Sequence, residues 1–589
     1  MRFLVTSSDL RFWPERGDVY LLGEWCRWNL NEEKLSPFNI QIASAYSVLA
    51  CQRKRDIEAI NHIYEDCLLD LTKSLNSFHR TSYTIRYWRI LIGSWLYLFC
   101  VILYNRWNSF WTGLKNQKID SVKILQAPDE EFVPAGFLEF SALYRTEIWN
   151  QKIFSIIVEN YANLPFEKVS VPSRLNYLKN QPNNLKYTVT SMPRKLISVM
   201  SRSIAPILNK FSHDTDALLI STYLPRWVEL FLQVKLKQFP IFRFYEPAIN
   251  LAPDLKLRKK VLKHKSRGSN WQSFLKTMIQ KGIPTCYLEG YKELKSKAFS
   301  AGWPTNPKFI FTSNSFDSHE PFKAYTAELA EKGIPYIIGQ HGANYGTSFY
   351  KFSERHEIKT SDRFLTWGWK NHEKQVHPAF AFPFIFCKKN IAKKTGNLLL
   401  VQKQGGHRTS PWDEFHLLKK YLEDQFLFTK KLKKKIFRQT IVRLSSSNLF
   451  NDWSEETHWR NRFPELKIDQ GFQDINKLVK KSRLMVFSFI STGFLEALYR
   501  DTPVILFFNL KDYPLRPESR PFFKSLQEAE IFFTSPFQAA KKVNEVWEKI
   551  ETWWNKTNTK VAKEKFKKQY VNKNEKPITE IKKLLLLEK

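Results

Sequence analysis

The residues best suited to catalysis in this chain are Gln340, His341 and Gly342. An imidazole has an ordinary pKa of about 6.5, so His341 can accept a proton at neutral pH with little tuning. Gly342 leaves room for a substrate or a backbone segment to approach closely. We predict that His341 is a general base and that Gln340 and Gly342 assist it or contact an acceptor. The alternative is a core histidine whose two ring nitrogens are both hydrogen-bonded.

Two acidic residues, Glu354 and Glu357, follow this segment closely. Carboxylates beside a histidine base can assist proton transfer or clamp an acceptor. We predict such an assisting role for both glutamates. A solvated, charged loop is the alternative.

A second candidate site lies at Ser491, Thr492 and Gly493, which follow the apolar run 483–489 and open a helical pattern. Hydroxyl groups, a glycine and the free N–H groups of a helix N-terminus together suit phosphate. Glu496 lies one turn into this helix, where it can reach ribose hydroxyls or cap the helix. An ordinary helix cap is the alternative interpretation.

Arg443 lies inside an otherwise apolar strand pattern, 440–446. A buried arginine needs an anionic partner, so we expect a phosphate or a carboxylate beside it. A structural salt bridge is the alternative. The segment 404–408, Gln-Gly-Gly-His-Arg, is a candidate second anion loop, although it lacks the glycine spacing of a dinucleotide fold or a P-loop.

No residues have the spacing of a metal site. The six cysteines are scattered without a CxxC pair, which also suits a reducing compartment. Asp214 and Asp216 form a DxD sequence, but they precede the apolar run 217–224 instead of following a strand. We therefore predict no metal and no cofactor other than a co-substrate.

A strand–helix–strand pattern must position His341. The apolar run 309–311 is followed by a helical pattern over 317–331, then by Gly333 and a second apolar run, 336–338. Such a crossover joins parallel strands, and parallel sheets collect their ligands at the carboxyl ends of the strands. The pattern therefore places His341 at the ligand-binding edge of a parallel sheet.

The composition indicates which classes of partner and which compartment the chain is suited to. Its 589 residues carry 92 Lys and Arg against 57 Asp and Glu, a formal net charge of +35, which attracts nucleic acid, anionic membranes or phosphorylated substrates. The N-terminus has no continuous apolar segment, so we expect no signal peptide. The most apolar run, 90–104, is shorter than the ~20 residues of a bilayer span and predicts a buried or interfacial helix. We expect a cytoplasmic protein, with the inner membrane face as a candidate contact.

Apolar runs divide the chain into two series. In the first half, strands are predicted at 3–7, 19–23, 217–224 and 284–290, with helices from 36 to 111. In the second half, strands are predicted at 397–402, 440–446, 483–489 and 503–509, with helices between them. This alternation predicts two Rossmann-like α/β domains facing across a cleft, with a helical N-terminal elaboration. The predicted domains are 1–385, 386–540 and a basic helical tail, 541–589.

Several segments together resemble a bacterial family of transferases from O-antigen and surface-polysaccharide loci. They keep their order along the chain and read LGEWC (22–26), RYWRILIGSWL (86–96), SNSF (313–316), IGQHGANYG (338–346), FLTWGW (364–369) and STGFLEAL (491–498). The family is distantly similar to capsule Kdo transferases and teichoic-acid glycerophosphotransferases of the GT-B fold. Relatives often have Gly-Gly after the motif histidine, where this chain has Gly342 and Ala343, and often have Pro where Ser94 stands.

The resemblance implies a metal-independent GT-B enzyme whose C-terminal domain binds a nucleotide-activated donor and whose N-terminal domain presents the acceptor. Carried over by motif, His341 is the catalytic base. The donor residues are then Ser491, Thr492, Gly493 and Glu496, and Arg443 is expected to help stabilise the leaving nucleotide. The domains are accordingly an acceptor side, 1–385, and a donor-binding side, 386–540.

We therefore predict a glycosyltransferase that uses a nucleotide-activated sugar in cell-surface polysaccharide biosynthesis. Its predicted partners are the nucleotide sugar, a glycan or lipid-linked acceptor, and an anionic membrane surface. One alternative is a polyol-phosphate transferase of the same fold. A second is a non-enzymatic protein that binds polyanions or nucleic acid, although the chain has no RNA-recognition string, zinc finger or compact basic helix.

Overall fold

The computed structural model describes residues 2–28, 30–47, 49–171, 211–242, 249, 251–262, 269–349, 351–390, 395–405, 412, 415–445 and 455–586. Its contacts divide the chain into two compact units. Unit 1 comprises 1–46, 56–222 and 227–337, and unit 2 comprises 47–55, 223–226 and 338–589. This division at 337/338 differs from the domain boundary that the sequence predicts at 385/386.

The first sheet lies in unit 1 and is parallel throughout. Its strands are β1 (Arg2–Val5), β2 (Gly17–Leu21), β3 (Phe38–Ile42), β4 (Ser121–Gln126) and β5 (Phe166–Ser170), in the order β3-β2-β1-β4-β5. The strands predicted at 3–7 and 19–23 are confirmed. The helix predicted to begin at 36 is wrong for Phe38–Ile42, because Phe-Asn-Ile-Gln-Ile alternates apolar and polar residues with the period of a strand.

Two helices of 30 residues each follow β3, at Ala50–His79 and Ile85–Leu114. Among the described residues, Ile85–Leu114 is the one helix long and apolar enough to cross a membrane by length and composition. However, 83% of its most apolar window is buried inside the structure. The helix is therefore packed as a core helix is, in line with the buried helix predicted for 90–104.

The second sheet has the strand order β10-β9-β8-β7-β6. Its strands are β6 (Leu218–Ile220), β7 (Ile310–Thr312), β8 (Tyr336–Gly339), β9 (Arg363–Thr366) and β10 (Val376–Pro378). The crossover predicted before His341 is confirmed, with the helices Ser315–Ser318 and Glu320–Glu331 between β7 and β8. The strand predicted at 284–290 is wrong. Its apolar residues form the 3-10 turn Thr285–Tyr287, because a short buried run has the same composition in either structure.

The third sheet lies in unit 2 and is parallel throughout. Its strands are β11 (Asn397–Val401), β12 (Thr440–Arg443), β13 (Lys467–Asp469), β14 (Ser482–Phe487), β15 (Val504–Phe507) and β16 (Phe532–Phe533), in the order β13-β12-β11-β14-β15-β16. The four strands predicted for this half are confirmed. The sheet is Rossmann-like, and its strand order reverses between β11 and β14, where such sheets open a crevice for ligands.

The other described helices lie between and after these strands along the chain. Before β8 they are Glu32–Leu35, Phe137–Leu143, Glu147–Tyr161, Arg226–Lys235, Leu255–Arg258, Asn270–Gly282 and Tyr291–Phe299. After β8 they are Phe352–Thr360, Phe415–Lys430, Lys434–Arg438, Glu455–Arg462, Ile475–Lys480, Thr492–Tyr499, Arg520–Glu528, Pro536–Val546, Ile550–Trp554, Thr557–Tyr570 and Pro577–Leu586. The fold is therefore α/β with parallel sheets, as the sequence predicts.

The C-terminal segment predicted as a basic helical tail is helical, but it is an integral part of unit 2. The backbone N–H of Asn572 donates to Trp367 O at 2.8 Å, and its backbone oxygen accepts from Ala381 N at 3.0 Å. Trp553 and Trp554 are buried. The tryptophans of this segment therefore belong to the core and do not form an exposed aromatic surface.

Candidate active site

Hydrogen bonds of the Gln340 side chain fix the loop that carries His341. The Gln340 side chain is buried and accepts hydrogen bonds from Trp367 N at 3.0 Å and Trp369 Nε1 at 2.8 Å. Its Nε2 donates to Gly342 O at 2.8 Å. Both ends of the amide are thus engaged by the protein, so Gln340 positions the histidine loop in this structure. Its predicted contact with an acceptor stays a prediction.

His341, Tyr345 and Glu357 form a hydrogen-bonded chain. The Tyr345 hydroxyl oxygen lies 2.9 Å from His341 Nδ1 and 3.3 Å from Nε2, and it donates to Glu357 Oε1 at 2.6 Å. The other carboxylate oxygen, Oε2, lies 3.6 Å from His341 Nδ1. The Glu357 side chain is fully buried, whereas that of His341 is 19% exposed. A partly accessible imidazole is therefore linked through a phenol to a buried carboxylate.

The ionisation of Tyr345 favours this arrangement. Burial raises the pKa of the Tyr345 hydroxyl well above its ordinary value, and the neighbouring carboxylate of Glu357 raises it further. The phenol therefore keeps its proton and donates a hydrogen bond to Glu357. Its oxygen can then accept from His341 Nδ1–H, the nearer of the two ring nitrogens, and in that tautomer Nε2 is the basic nitrogen.

Glu354 lies on the same helix, Phe352–Thr360, but has a different role. It accepts from Gly346 N at 2.9 Å and from the Arg516 guanidinium at 2.6 Å. Burial raises the pKa of its carboxyl, against the lowering effect of Arg516. Arg516 also donates to Ser348 O at 2.9 Å. Glu354 and Arg516 thus fix the end of the histidine loop, and the alternative of a solvated charged loop is wrong for both glutamates.

The predicted phosphate turn lies beside the histidine loop. A Cβ placed on Gly342 would lie 3.6 Å from Thr492 Oγ1. Ser491 caps the helix Thr492–Tyr499 by accepting from Phe494 N at 3.0 Å, and Thr492 is exposed. The structure therefore brings together, within unit 2, the candidate base loop and the candidate anion turn. Their roles with substrates stay predictions.

Two other predicted donor residues already have protein partners. The Glu496 carboxylate accepts from Arg500 Nε at 2.7 Å. Arg443 pairs with Asp469, and its Nη2 donates to Gly471 O at 2.9 Å. The structural salt bridge left open for Arg443 is therefore present. Donor binding by Glu496 or Arg443 would have to share or replace these contacts, and it stays a prediction.

A polar cluster that was not predicted from the sequence lies at the carboxyl edge of the third sheet. Lys403 Nζ donates to the Tyr513 hydroxyl at 2.8 Å and lies 4.6 Å from the centre of the Tyr421 ring. Ser488 Oγ donates to the Tyr421 hydroxyl at 3.2 Å. Lys403 follows β11 and Ser488 follows β14, where the strand order reverses. Lys403 directly follows the predicted strand 397–402, which was the available signal, whereas Ser488 lay inside the predicted strand 483–489.

Neither the other candidate anion loop nor the DxD sequence forms a ligand site in the described residues. Residues 406–408 of the segment Gln-Gly-Gly-His-Arg lie outside the described residues. Asp216 is buried and accepts from His213 N at 2.9 Å, ahead of β6. Within the described ranges there is no group of three or more His, Cys, Asp and Glu side chains that could hold a metal ion.

The parallel sheets define an α/β protein, and a hydrogen-bonded histidine relay beside a capped helix N-terminus gives it groups that suit acid–base chemistry. The family described as LIC12162 family transferase matches residues 2–585, and the chain belongs to this family. The predicted membership of a transferase family is thereby confirmed. No curated protein matches the chain.

Several solved structures are faintly similar. WaaG, a glycosyltransferase involved in lipopolysaccharide biosynthesis, is 10% identical over 51% of this chain and 95% of its own, with a TM-score of 0.28. A variant of the wall teichoic acid polymerase TagF is 10% identical over 48% and 74%, with a TM-score of 0.27. A UDP-N-acetylglucosamine 2-epimerase from Listeria monocytogenes is 12% identical over 64% and 95%, with a TM-score of 0.34. Likenesses this slight do not define what this chain does.

Proposed function

We propose that this transferase is a metal-independent glycosyltransferase of the GT-B type, which uses a nucleotide-activated sugar in the assembly of cell-surface polysaccharide. The observation that carries the proposal is the chain from His341 through Tyr345 to Glu357. A partly exposed imidazole that is linked to a buried carboxylate suits a general base, which the activation of an acceptor hydroxyl requires.

In the proposed reaction, His341 Nε2 takes the proton of an acceptor hydroxyl as that oxygen attacks the anomeric carbon of the donor. A carbon–oxygen bond to the acceptor forms while the bond from the anomeric carbon to the phosphate oxygen breaks. The imidazolium that results is stabilised by the buried Glu357 through the Tyr345 hydroxyl, since opposite charges attract strongly where water is excluded.

The nucleotide that leaves carries the negative charge. The N-terminus of the helix Thr492–Tyr499 offers free N–H groups and the positive end of the helix dipole, and the Thr492 hydroxyl is exposed there. The proximity of Thr492 to Gly342 supports a single site for base and leaving group. Lys403, at the same edge of the sheet, is a further candidate contact for the nucleotide.

The acceptor is proposed to be a glycan or a lipid-linked glycan at the inner face of the cytoplasmic membrane. The net charge of +35 supports association with an anionic membrane surface. In this scheme the protein is cytoplasmic and peripheral to the membrane.

A panel of nucleotides and activated donors tests the proposal. The purified protein is heated with CMP, UDP, GDP, their sugars, a nucleotide-activated polyol and a nucleic acid, and each donor that raises the melting temperature is assayed for transfer. A nucleotide sugar that stabilises the protein and is consumed with an acceptor supports the proposal. Consumption of the activated polyol alone would replace it with polyol-phosphate transfer. Stabilisation by nucleic acid with no response to any nucleotide would overturn it.

A further inference from the structure

The helix Arg226–Lys235 is apolar on two faces, although only one of them is buried. Val228 and Leu232 point into the core of unit 1. On the other face, Trp227 is 52%, Phe231 55% and Val234 55% exposed. These three positions are spaced i, i+4 and i+7, so they form one stripe along the helix. Exposed apolar side chains grouped in this way mark a contact surface.

Aromatic side chains continue beyond the end of this helix. Phe239 is 41% exposed and stacks on Phe211, which is 56% exposed, with the ring centres 5.1 Å apart. Phenylalanine and tryptophan of this kind are enriched where a protein meets the boundary between lipid headgroups and acyl chains.

The charges around the stripe are of one sign. Arg226, Lys235 and Lys237 are all exposed. Between residues 223 and 242 the sequence has one acidic residue, Glu229, which is buried and accepts a hydrogen bond from Thr222. The exposed side of this segment therefore combines apolar and cationic groups, which complements an anionic lipid surface.

We infer that the exposed face of the helix Arg226–Lys235 is an interfacial surface that binds anionic lipid bilayers. Trp227, Phe231 and Val234 insert among the headgroups, while Lys235 and Lys237 contact lipid phosphates. The helix begins shortly after Tyr223, whose ring centre lies 6.1 Å from that of His341. The inference builds on the proposed function, because a lipid-linked acceptor would have to reach that histidine from a membrane.

Co-sedimentation with sucrose-loaded vesicles tests the surface. Vesicles of phosphatidylcholine alone are compared with vesicles rich in phosphatidylglycerol, at low and at high salt. The wild-type protein should bind the anionic vesicles, and high salt should weaken binding because it shortens the Debye length from about 10 Å to about 3 Å. A wild-type protein that ignores both vesicles would overturn the inference.

Three variants locate the contact. Phe231→Ser/Val234→Ser should weaken binding to anionic vesicles about tenfold or more, because it removes the apolar groups that insert. Lys235→Gln/Lys237→Gln should weaken it by about fivefold per lysine and reduce the preference for anionic lipid. The matched control is Phe537→Ser/Val561→Ser, since both side chains are likewise exposed but lie in unit 2. It should bind as the wild type does.

Equal loss in the control and in Phe231→Ser/Val234→Ser would overturn the assignment to this helix. So would a wild-type dimer in sedimentation velocity that only Phe231→Ser/Val234→Ser dissolves, with no vesicle binding, since the occupant would then be a second copy of the chain. Donor-induced thermal stabilisation of the same variants separates this failure from failure of the proposed function. That stabilisation does not depend on the membrane.

Discussion

His319 lies beyond β7, between the helices Ser315–Ser318 and Glu320–Glu331, and His341 follows β8. The two imidazoles lie in very different surroundings. His319 is buried, with Trp303 edge-on at 5.8 Å and Phe322 stacked at 6.0 Å between ring centres. Burial, aided by the charge of Lys323, lowers the pKa of His319 to about 3. His341 is partly exposed and has a phenol and a carboxylate behind it.

A position in the segment after a parallel strand therefore does not by itself suit a histidine to acid–base chemistry. A buried imidazole with aromatic neighbours and a lysine nearby stays neutral, so it can fill space but does not take up a proton near neutral pH. The imidazole of His341 is instead partly exposed and is linked through Tyr345 to a buried carboxylate. The two histidines should therefore fail in different ways when they are changed.

The largest expected effect concerns stability and pH at His319. The unfolded chain protonates this imidazole near its ordinary pKa of 6.5, whereas the folded chain does so only near 3. The contribution of His319 to the free energy of unfolding is therefore fully present above pH 6.5 and is lost as the pH falls towards 3. Between pH 7 and pH 4 the wild type should lose about 3 kcal/mol more unfolding free energy than His319→Phe does.

Urea titrations of both proteins across this pH range measure the difference. The comparison is made within each protein, so that any change in the stability of His319→Phe at pH 7 cancels. Parallel pH profiles for the two proteins would show that the buried imidazole is not the neutral group described here.

The next effect separates the two glutamates behind His341. Glu357→Gln removes the anion at the end of the relay and should lower turnover about 10- to 100-fold with donor affinity nearly unchanged. Glu354→Gln is the matched control on the same helix. It weakens the contact with Arg516 and should lower the melting temperature while leaving turnover per folded molecule nearly intact. Equal losses of turnover in the two variants would show that Glu357 does not differ in role from Glu354, which holds the end of the histidine loop.

The smallest effect is expected at Ser491. Its hydroxyl caps the helix Thr492–Tyr499 by accepting from Phe494 N. Ser491→Ala should therefore cost about 1 kcal/mol of unfolding free energy. Thr492→Ala, in contrast, removes an exposed hydroxyl and should weaken donor binding with little effect on stability. Isothermal titration with the donor identified by the panel, together with urea unfolding, checks both variants. A stability loss in Thr492→Ala and none in Ser491→Ala would reverse the assignment.

The apolar runs of the sequence and the small residues that end them were enough to predict the main elements of the candidate site. His341 and Ser491 each follow a strongly apolar run and precede small residues, which is how parallel strands end. Glu357 was predicted near the base because it is close in sequence. The different roles of Glu357 and Glu354 could not be predicted from the sequence, because both lie on one turn of a helix and only their hydrogen-bond partners differ.

Tyr345 was missed because a tyrosine four residues from a histidine is ordinarily a core aromatic. The loop turns back at Gly346, which has φ of +66° and whose added Cβ would lie 2.6 Å from the Trp369 ring. Asp469, the partner of Arg443, was missed because β13 has three residues, too few to show a strand pattern.

The base role proposed for His341 is measured by the turnover of His341→Ala with and without added imidazole. We expect a loss of about 100-fold or more, with donor affinity retained, because the proton of the acceptor then has no base. Added imidazole should restore part of the rate, and more of it as the pH rises and the free base accumulates. Wild-type turnover in His341→Ala would remove His341 from the proposed mechanism.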